Sequence, residues 1–187
     1  KVGETKNITW TPYGSIGNVD IYYSTDGGTT YPNKITALGG VAASLGTYAW
    51  PVPDAIGANL KVKIESITDT SVKGESTGVF EIKGTLILTA PNGTETFFVN
   101  DSTNITWTKT GTLGNVELRY STDGGATYPP ANVIATGIPA SGLSVAWPGG
   151  IPDIIGGTVR VKVFLISDST VYDTSNNNFA IKGSLVL

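Results

Sequence analysis

The sequence predicts an all-β chain: two antiparallel β-sandwiches in tandem. Three observations predict it. The chain repeats itself at domain length. Its apolar residues alternate with polar ones. Gly, Pro and Asp punctuate the alternating runs at short intervals.

The repeat is read directly from the residues. Asn7-Ile8-Thr9-Trp10 returns as Asn104-Ile105-Thr106-Trp107. Tyr23-Ser24-Thr25-Asp26-Gly27-Gly28 returns as Tyr120-Ser121-Thr122-Asp123-Gly124-Gly125. Both pairs are 97 positions apart, and so are Trp50 and Trp147. Phe80-Glu81-Ile82-Lys83-Gly84 returns as Phe179-Ala180-Ile181-Lys182-Gly183, now 99 positions apart, because two extra residues enter around Gly149-Gly150. A period of about a hundred residues is the size of a domain, well above the repeat of a solenoid.

The element pattern of one copy follows from period-two alternation. Ile8 and Trp10 share one face of a first short strand. Val19, Ile21 and Tyr23 fall on one face of the next, with Asp20 and Tyr22 on the other; Trp50 marks a later strand end before Pro51. Leu60, Val62 and Ile64 alternate with Lys61 and Lys63. In the second copy Thr85-Leu86-Ile87-Leu88-Thr89-Ala90 reads as a first strand. Val116, Leu118 and Tyr120 then alternate with Glu117 and Arg119, and Val159, Val161 and Val163 with Arg160 and Lys162. One apolar and one polar face describes a sheet half-buried against another layer. Burial of Trp107, Val116, Leu118, Val161, Val163 and Phe179 is expected to hold the unit, and Trp10, Trp50, Trp107 and Trp147 are assigned to the core. Glu117 is expected to face Arg160 or Lys162 across the ladder, worth about 0.2–1 kcal/mol.

The copies are out of phase with the chain. Residues 1–84 read as a repeat lacking its first strand, and residues 85–183 as a complete repeat. Residues 184–187 match Thr85-Leu86-Ile87-Leu88, so they read as the start of a next repeat or as a donor strand carrying Leu185, Val186 and Leu187. Two explanations compete. The chain is a window on a longer tandem protein, which the absence of an initiator Met fits. Alternatively, the apolar tail of a neighbouring copy fills the open sheet edge by strand addition. The junction at Gly84 carries no Ser/Gly or Pro-rich spacer, so limited flexing and a stiff rod are expected.

Composition narrows the function. The 187 residues include 24 Gly, only 14 % are charged, and the net charge is −3 with no basic cluster. Nucleic-acid binding lacks its electrostatic footprint. No apolar run reaches the length of a membrane span. Cys, His and Met are absent, which removes disulfides, thiolate metal sites, cysteine nucleophiles and the commonest general base. No nucleophile elbow, metalloprotease helix or phosphate loop is present, and neither copy offers a catalytic acid that its sister lacks. The chain is read as non-enzymatic.

Several motifs remain. Ser24, Asp26 and Gly28, with Ser121, Asp123 and Gly125 in the second copy, fit S-x-D-x-G-x-T-aromatic. This resembles the Asp-box of sialidases and other secreted β proteins, and the resemblance implies a structural hairpin away from any active site. Tyr31 and Tyr128 stand where that motif often has Trp. No cofactor is expected. A Ca²⁺ role for Asp26, or for Asp54, Asp69, Asp153, Asp168 and Asp173 near loops, has too few convergent carboxylates to compete with turn capping. Asn7, Asn92, Asn100 and Asn104 each open an N-x-S/T glycosylation sequon. The tryptophans, or Tyr22 with Tyr31, could serve as sugar-stacking platforms.

Taken in order, Leu-Thr-Ala-Pro-Asn-Gly (88–93), Asn-Ile-Thr-Trp, Asn-Val-Glu-Leu-Arg-Tyr-Ser-Thr-Asp-Gly-Gly, Ala-Trp-Pro, Val-Arg-Val-Lys-Val and Asn-Phe-Ala-Ile resemble tandem Ig-like repeats of large bacterial and archaeal surface proteins. They are also similar to the Kre9/Knh1-type Ser-Thr-rich domain of fungal wall proteins. The resemblance spans essentially the whole chain. It implies Ig-like or fibronectin-III-like sandwiches, an extracellular or cell-surface location, and a role as stalk, sheath, filament or adhesin unit. The implied partners are further copies of the chain in an array or polymer, with glycans as the alternative. It transfers no catalytic residue.

Overall fold

In the computed structural model, described over residues 1–185, the chain divides into two compact units, Lys1–Lys83 and Gly84–Leu187. Val186 and Leu187, assigned above to a donor strand, lie outside the described residues.

The first unit carries β1 (Thr5–Thr9), β2 (Asn18–Ser24), β3 (Asn33–Lys34), β4 (Val41–Ala42), β5 (Thr47–Pro51), β6 (Gly57–Ser66), β7 (Lys73–Glu75) and β8 (Phe80–Ile82). One layer is the pair β1–β5. The other is ordered β3-β2-β6-β7, with β4 also on β2 and β8 also on β6.

The second unit carries β9 (Thr85–Ala90), β10 (Thr96–Phe98), β11 (Asn104–Thr110), β12 (Asn115–Ser121), β13 (Val133–Pro139), β14 (Ser144–Ala146), β15 (Gly156–Leu165), β16 (Tyr172–Thr174) and β17 (Phe179–Lys182). Its first layer has three strands, β14-β11-β9. Its second is ordered β10-β17-β15-β12-β13, with β16 also on β15. Apart from the parallel β10–β17 pair, every pairing among the described residues is antiparallel. Both units are Ig-like antiparallel β-sandwiches.

The register repeats with the sequence. Ile8 faces Tyr48 as Ile105 faces Val145. Tyr23 faces Val62 as Tyr120 faces Val161. Even the bulge near the start of β6, between Gly57 and Leu60, returns between Gly156 and Val159. A one-residue slip would turn every apolar side chain outward, so conserving the pattern fixes the pairing.

The cores differ. In the second unit a continuous cluster joins Leu86 and Leu88 of β9 to Ile105 and Trp107 of β11, to Val116 and Leu118 of β12, and to Val159, Val161 and Val163 of β15. Trp147 stacks obliquely on Tyr120, with ring centroids 5.9 Å apart. The first unit repeats that contact between Trp50 and Tyr23 at 5.7 Å, but its main cluster reduces to Trp50, Val52, Leu60 and Ile82.

Two expectations need correction. Trp10 is half-buried, whereas Trp107 is 1 % exposed. Both indoles donate to an equivalent carbonyl, Trp10 to Ala43 at 2.8 Å and Trp107 to Ala140 at 2.9 Å. The ring is therefore placed alike in both units, and the difference is the cover that β9 provides over Trp107. Glu117 does not face Arg160 or Lys162. Phe164 stands opposite it, and Lys162 stands opposite Arg119. Glu117 instead binds Arg119 on its own strand at 2.6 Å and accepts the Thr136 hydroxyl at 3.0 Å. Residues two apart on a strand share a face, so the same-strand pair forms without any help from the ladder.

Candidate functional site

Three features stand out: the Ser-Asp-Gly loops, an aromatic and charged strip on the outer face, and an apolar groove beside β1.

The loops after β2 and β12 are built alike. The buried Ser24 hydroxyl donates to Asp26 Oδ1 at 2.6 Å and accepts the N–H groups of Asp26 at 3.1 Å and Gly28 at 2.9 Å. Asp26 then accepts the Thr30 N–H at 2.9 Å and the Thr30 hydroxyl at 2.6 Å. In the second unit Ser121, Asp123, Gly125 and Thr127 repeat each bond within about 0.1 Å. The Ser24 and Thr30 hydroxyls, with the Thr30 amide, hold the Asp26 carboxyl far below the usual range; Ser121 and Thr127 do the same for Asp123. Gly28 and Gly125 have φ of +94° and +90°, and a Cβ there would press on Lys61 or Arg160. Glycine is required at both. Both oxygens of each carboxylate are engaged within the loop, so the arrangement is that of a turn brace.

Three other aspartates brace turns or a strand edge. Asp69 accepts the Ser71 N–H and hydroxyl, and Asp168 those of Thr170. Asp173 accepts the backbone N–H of Leu88 at 2.8 Å. Among the described residues no group of three or more acidic side chains converges as a metal site would require, and no helix is long and apolar enough to cross a membrane.

On the outward face of β2 and β6, the Lys63 ammonium sits 5.0 Å from the Tyr22 ring centre and 5.3 Å from that of Tyr31, and pairs with Glu65 at 2.7 Å. Tyr31 donates to Glu75 at 2.9 Å, and burial together with that carboxylate pushes its hydroxyl up to about 12. In the second unit Lys162 lies 4.2 Å from the Tyr172 ring centre and 5.4 Å from Phe164. Burial, then the charge of Arg119, lowers its ammonium below the ordinary lysine value. Tyr22 and Tyr31 are half-buried and turned to a lysine, so neither offers a bare stacking face.

Of the sequon residues, Asn7, Asn100 and Asn104 are exposed. Asn92 is half-buried and its Oδ1 accepts the Asn176 N–H at 2.7 Å.

The groove occupies about 460 Å³ in the first unit, between β1 and β7. Ile8, Trp10, Ile16, Val62, Ile64 and Val72 provide its apolar lining. The equivalent space in the second unit holds β9, which pairs with β11 and packs Leu86 and Leu88 inward. Each lining residue is less buried than its counterpart. Val72 is 41 % exposed and Val171 7 %; Ile8 and Ile64 are half-buried, while Ile105 and Val163 are fully buried. The edge of β1 away from β5 has no strand partner among the described residues. The sequence repeat locates this edge, but only the structure shows a formed groove behind it.

No family model and no curated protein matches the chain. Among solved structures it is similar to fibronectin(III)-like modules of Clostridium thermocellum CbhA, at 20 % identity and a TM-score of 0.36, over 97 % of this chain and 87 % of that one. It is also similar to the N-terminal four Ig domains of Dscam1, at 12 % identity and a TM-score of 0.40, over 98 % of this chain and 42 % of that one. A chimeric titin tandem follows at 13 % identity and a TM-score of 0.31, over 96 % and 92 %. The fold class rests on the chain's own strand order and register, which make it an all-β protein of two Ig-like antiparallel β-sandwich units.

Proposed function

We propose that this chain is a non-catalytic structural unit of an extracellular stalk, sheath or filament. The observation that carries the reading is the repetition of register between the two units, from β1–β5 and β11–β14 through β2–β6 and β12–β15. A repeated scaffold with the same turn brace in each copy suits load-bearing extension, where each unit contributes the same element. The aspartates of its turns are engaged in bonds that hold the fold.

The test is location and assembly in the source organism. Antibodies raised against the chain should label intact, unpermeabilised cells, in an extended array by electron microscopy. Labelling that appears only after permeabilisation would end the proposal. A carbohydrate- or wall-binding role is the alternative; the lysine-capped tyrosines weigh against it. Binding of a soluble polysaccharide at micromolar concentration would reinstate it.

A further inference from the structure

We infer that the outward face of β15 in the second unit is a docking site for an extended acidic segment of a protein partner, whose alternate carboxylates meet Arg160 and Lys162. The inference goes beyond the structural role proposed above, and neither depends on the other.

The two units carry a lysine in the same place, but only one of these lysines is neutralised. Lys63 stands opposite Glu75, and Lys162 opposite Thr174. Two residues further along the strand the first unit has Glu65 and the second has Phe164. Lys63 therefore pairs with Glu65 at 2.7 Å. Lys162 has no carboxylate within ion-pair distance among the described residues. Its ammonium rests against aromatic rings instead, 4.2 Å from the centre of Tyr172, 5.4 Å from Phe164 and 5.8 Å from Tyr128.

Two more cations share this face. Arg119 stands opposite Lys162 across the ladder, and its charge is taken up by Glu117 at 2.6 Å. Arg160 lies two residues before Lys162 and donates to Asn178 Oδ1 at 2.6 Å and to the Ser175 carbonyl at 3.4 Å, both neutral acceptors. Burial, then the charge of Arg119, lowers the Lys162 ammonium, and a bound carboxylate would favour its charged form again. The three cations come from different strands or alternate positions, so no basic run marks them in the sequence.

The spacing specifies the occupant. Residues two apart on a strand lie about 6.8 Å apart, and alternate side chains of any extended peptide repeat at the same interval. A Glu-x-Glu segment laid along β15 brings one carboxylate to Arg160 and the next to Lys162, as charge-assisted hydrogen bonds require. The chain's net charge is −3, so an acidic partner is repelled by the molecule on balance and drawn to this patch by local complementarity. The rings favour a peptide over a sugar. Lys162 already lies on Tyr172, and Phe164 has the Arg119 guanidinium 5.2 Å from its centre, so neither ring is free of a cation.

The test is fluorescence anisotropy of a labelled octapeptide of alternating Glu and Thr, titrated with the full chain. The peptide should bind, and more weakly as salt is raised. Lys162→Gln should weaken binding by about fivefold, the loss of one exposed ion pair at the upper end of its range. Phe164→Glu should weaken it at least as much, because it recreates beside Lys162 the pairing of Lys63 with Glu65. Lys63→Gln, on the equivalent face of the first unit, should leave binding unchanged. Thermal melting confirms that each variant is folded, and the first unit already carries Glu at the place of Phe164.

Four outcomes would overturn the inference. Wild type could fail to bind the alternating peptide. It could bind equally well a peptide of the same residues sorted into one Glu block and one Thr block, which would reduce the effect to bulk charge. Lys63→Gln could weaken binding as much as Lys162→Gln. Polygalacturonate could bind more tightly per carboxylate than the peptide, which would assign the patch to an acidic polysaccharide. Peptide binding is blind to cellular location and surface labelling is blind to this face, so each proposal can fail without the other.

Discussion

The backbone N–H of Leu88 in β9 donates to the carboxylate of Asp173 in β16, at 2.8 Å. This bond anchors the second unit's first strand on the side away from β11. Its counterpart position in the first unit is Gly74, which stands opposite Ile64 as Asp173 stands opposite Val163. The first unit has no carboxylate at that position.

Asp173→Gly should therefore loosen β9 without disturbing the first unit. A hydrogen bond to a charged group contributes about 1.5–3 kcal/mol. The Leu88 amide should exchange with solvent markedly faster, while amides of β2 and β6 keep their protection. Unchanged exchange at Leu88 would mean that β11 alone holds the strand.

Leu88→Ala should cost about 2–5 kcal/mol, the range for emptying a closed leucine site, because Leu88 is 1 % exposed within the cluster around Trp107. Val72→Ala, at the exposed equivalent of Val171, should cost much less in a monomeric sample. Urea unfolding followed by tryptophan fluorescence will compare the two, and equal losses would contradict the open groove.

Ser121→Ala should destabilise the second unit more than any exposed serine. The Ser121 hydroxyl accepts the Asp123 and Gly125 N–H groups at 3.2 and 2.9 Å, and a buried group left unpaired costs about 1–3 kcal/mol. Gly125→Ala should also destabilise, since its φ is +90° and the added Cβ meets Arg160 Cδ at 3.0 Å. Thermal melting of each variant against wild type is the check.

Acid should act through Asp26 and Asp123. Their folded carboxyls lie below the ordinary aspartate value because hydroxyls and turn amides favour the charged form. The stability they contribute is complete above the unfolded value, about 3.9, and is lost as pH falls below it toward the folded value. Asp123→Asn should flatten the acid limb of a urea-midpoint profile below about pH 4. A limb as steep as wild type would assign acid sensitivity elsewhere.

Tyr31 should ionise near 12, later than an ordinary tyrosine, because it is partly buried and donates to Glu75. Glu75→Gln should bring that ionisation down by removing the negative charge. Ultraviolet difference titration of both proteins measures the shift, and coincident curves would exclude Glu75 as a cause.

The sequence by itself determined the two-copy organisation, the strand alternation and the turn residues. These are local or repeated properties. Val116-Glu117-Leu118 must bury alternate side chains whichever strand lies beside it, and Ser121-x-Asp123-x-Gly125 closes its turn with atoms four residues apart. Only the tertiary structure decided what depends on residues distant in the chain. It placed Phe164 opposite Glu117, set Lys162 over Tyr172, and joined Asp173 to Leu88 across 85 positions. Trp10 and Trp107 stand in the same four-residue motif, yet one is half-buried and the other buried. Burial belongs to whatever covers a side chain, and for Trp107 that cover is a strand the first unit does not hold among its described residues.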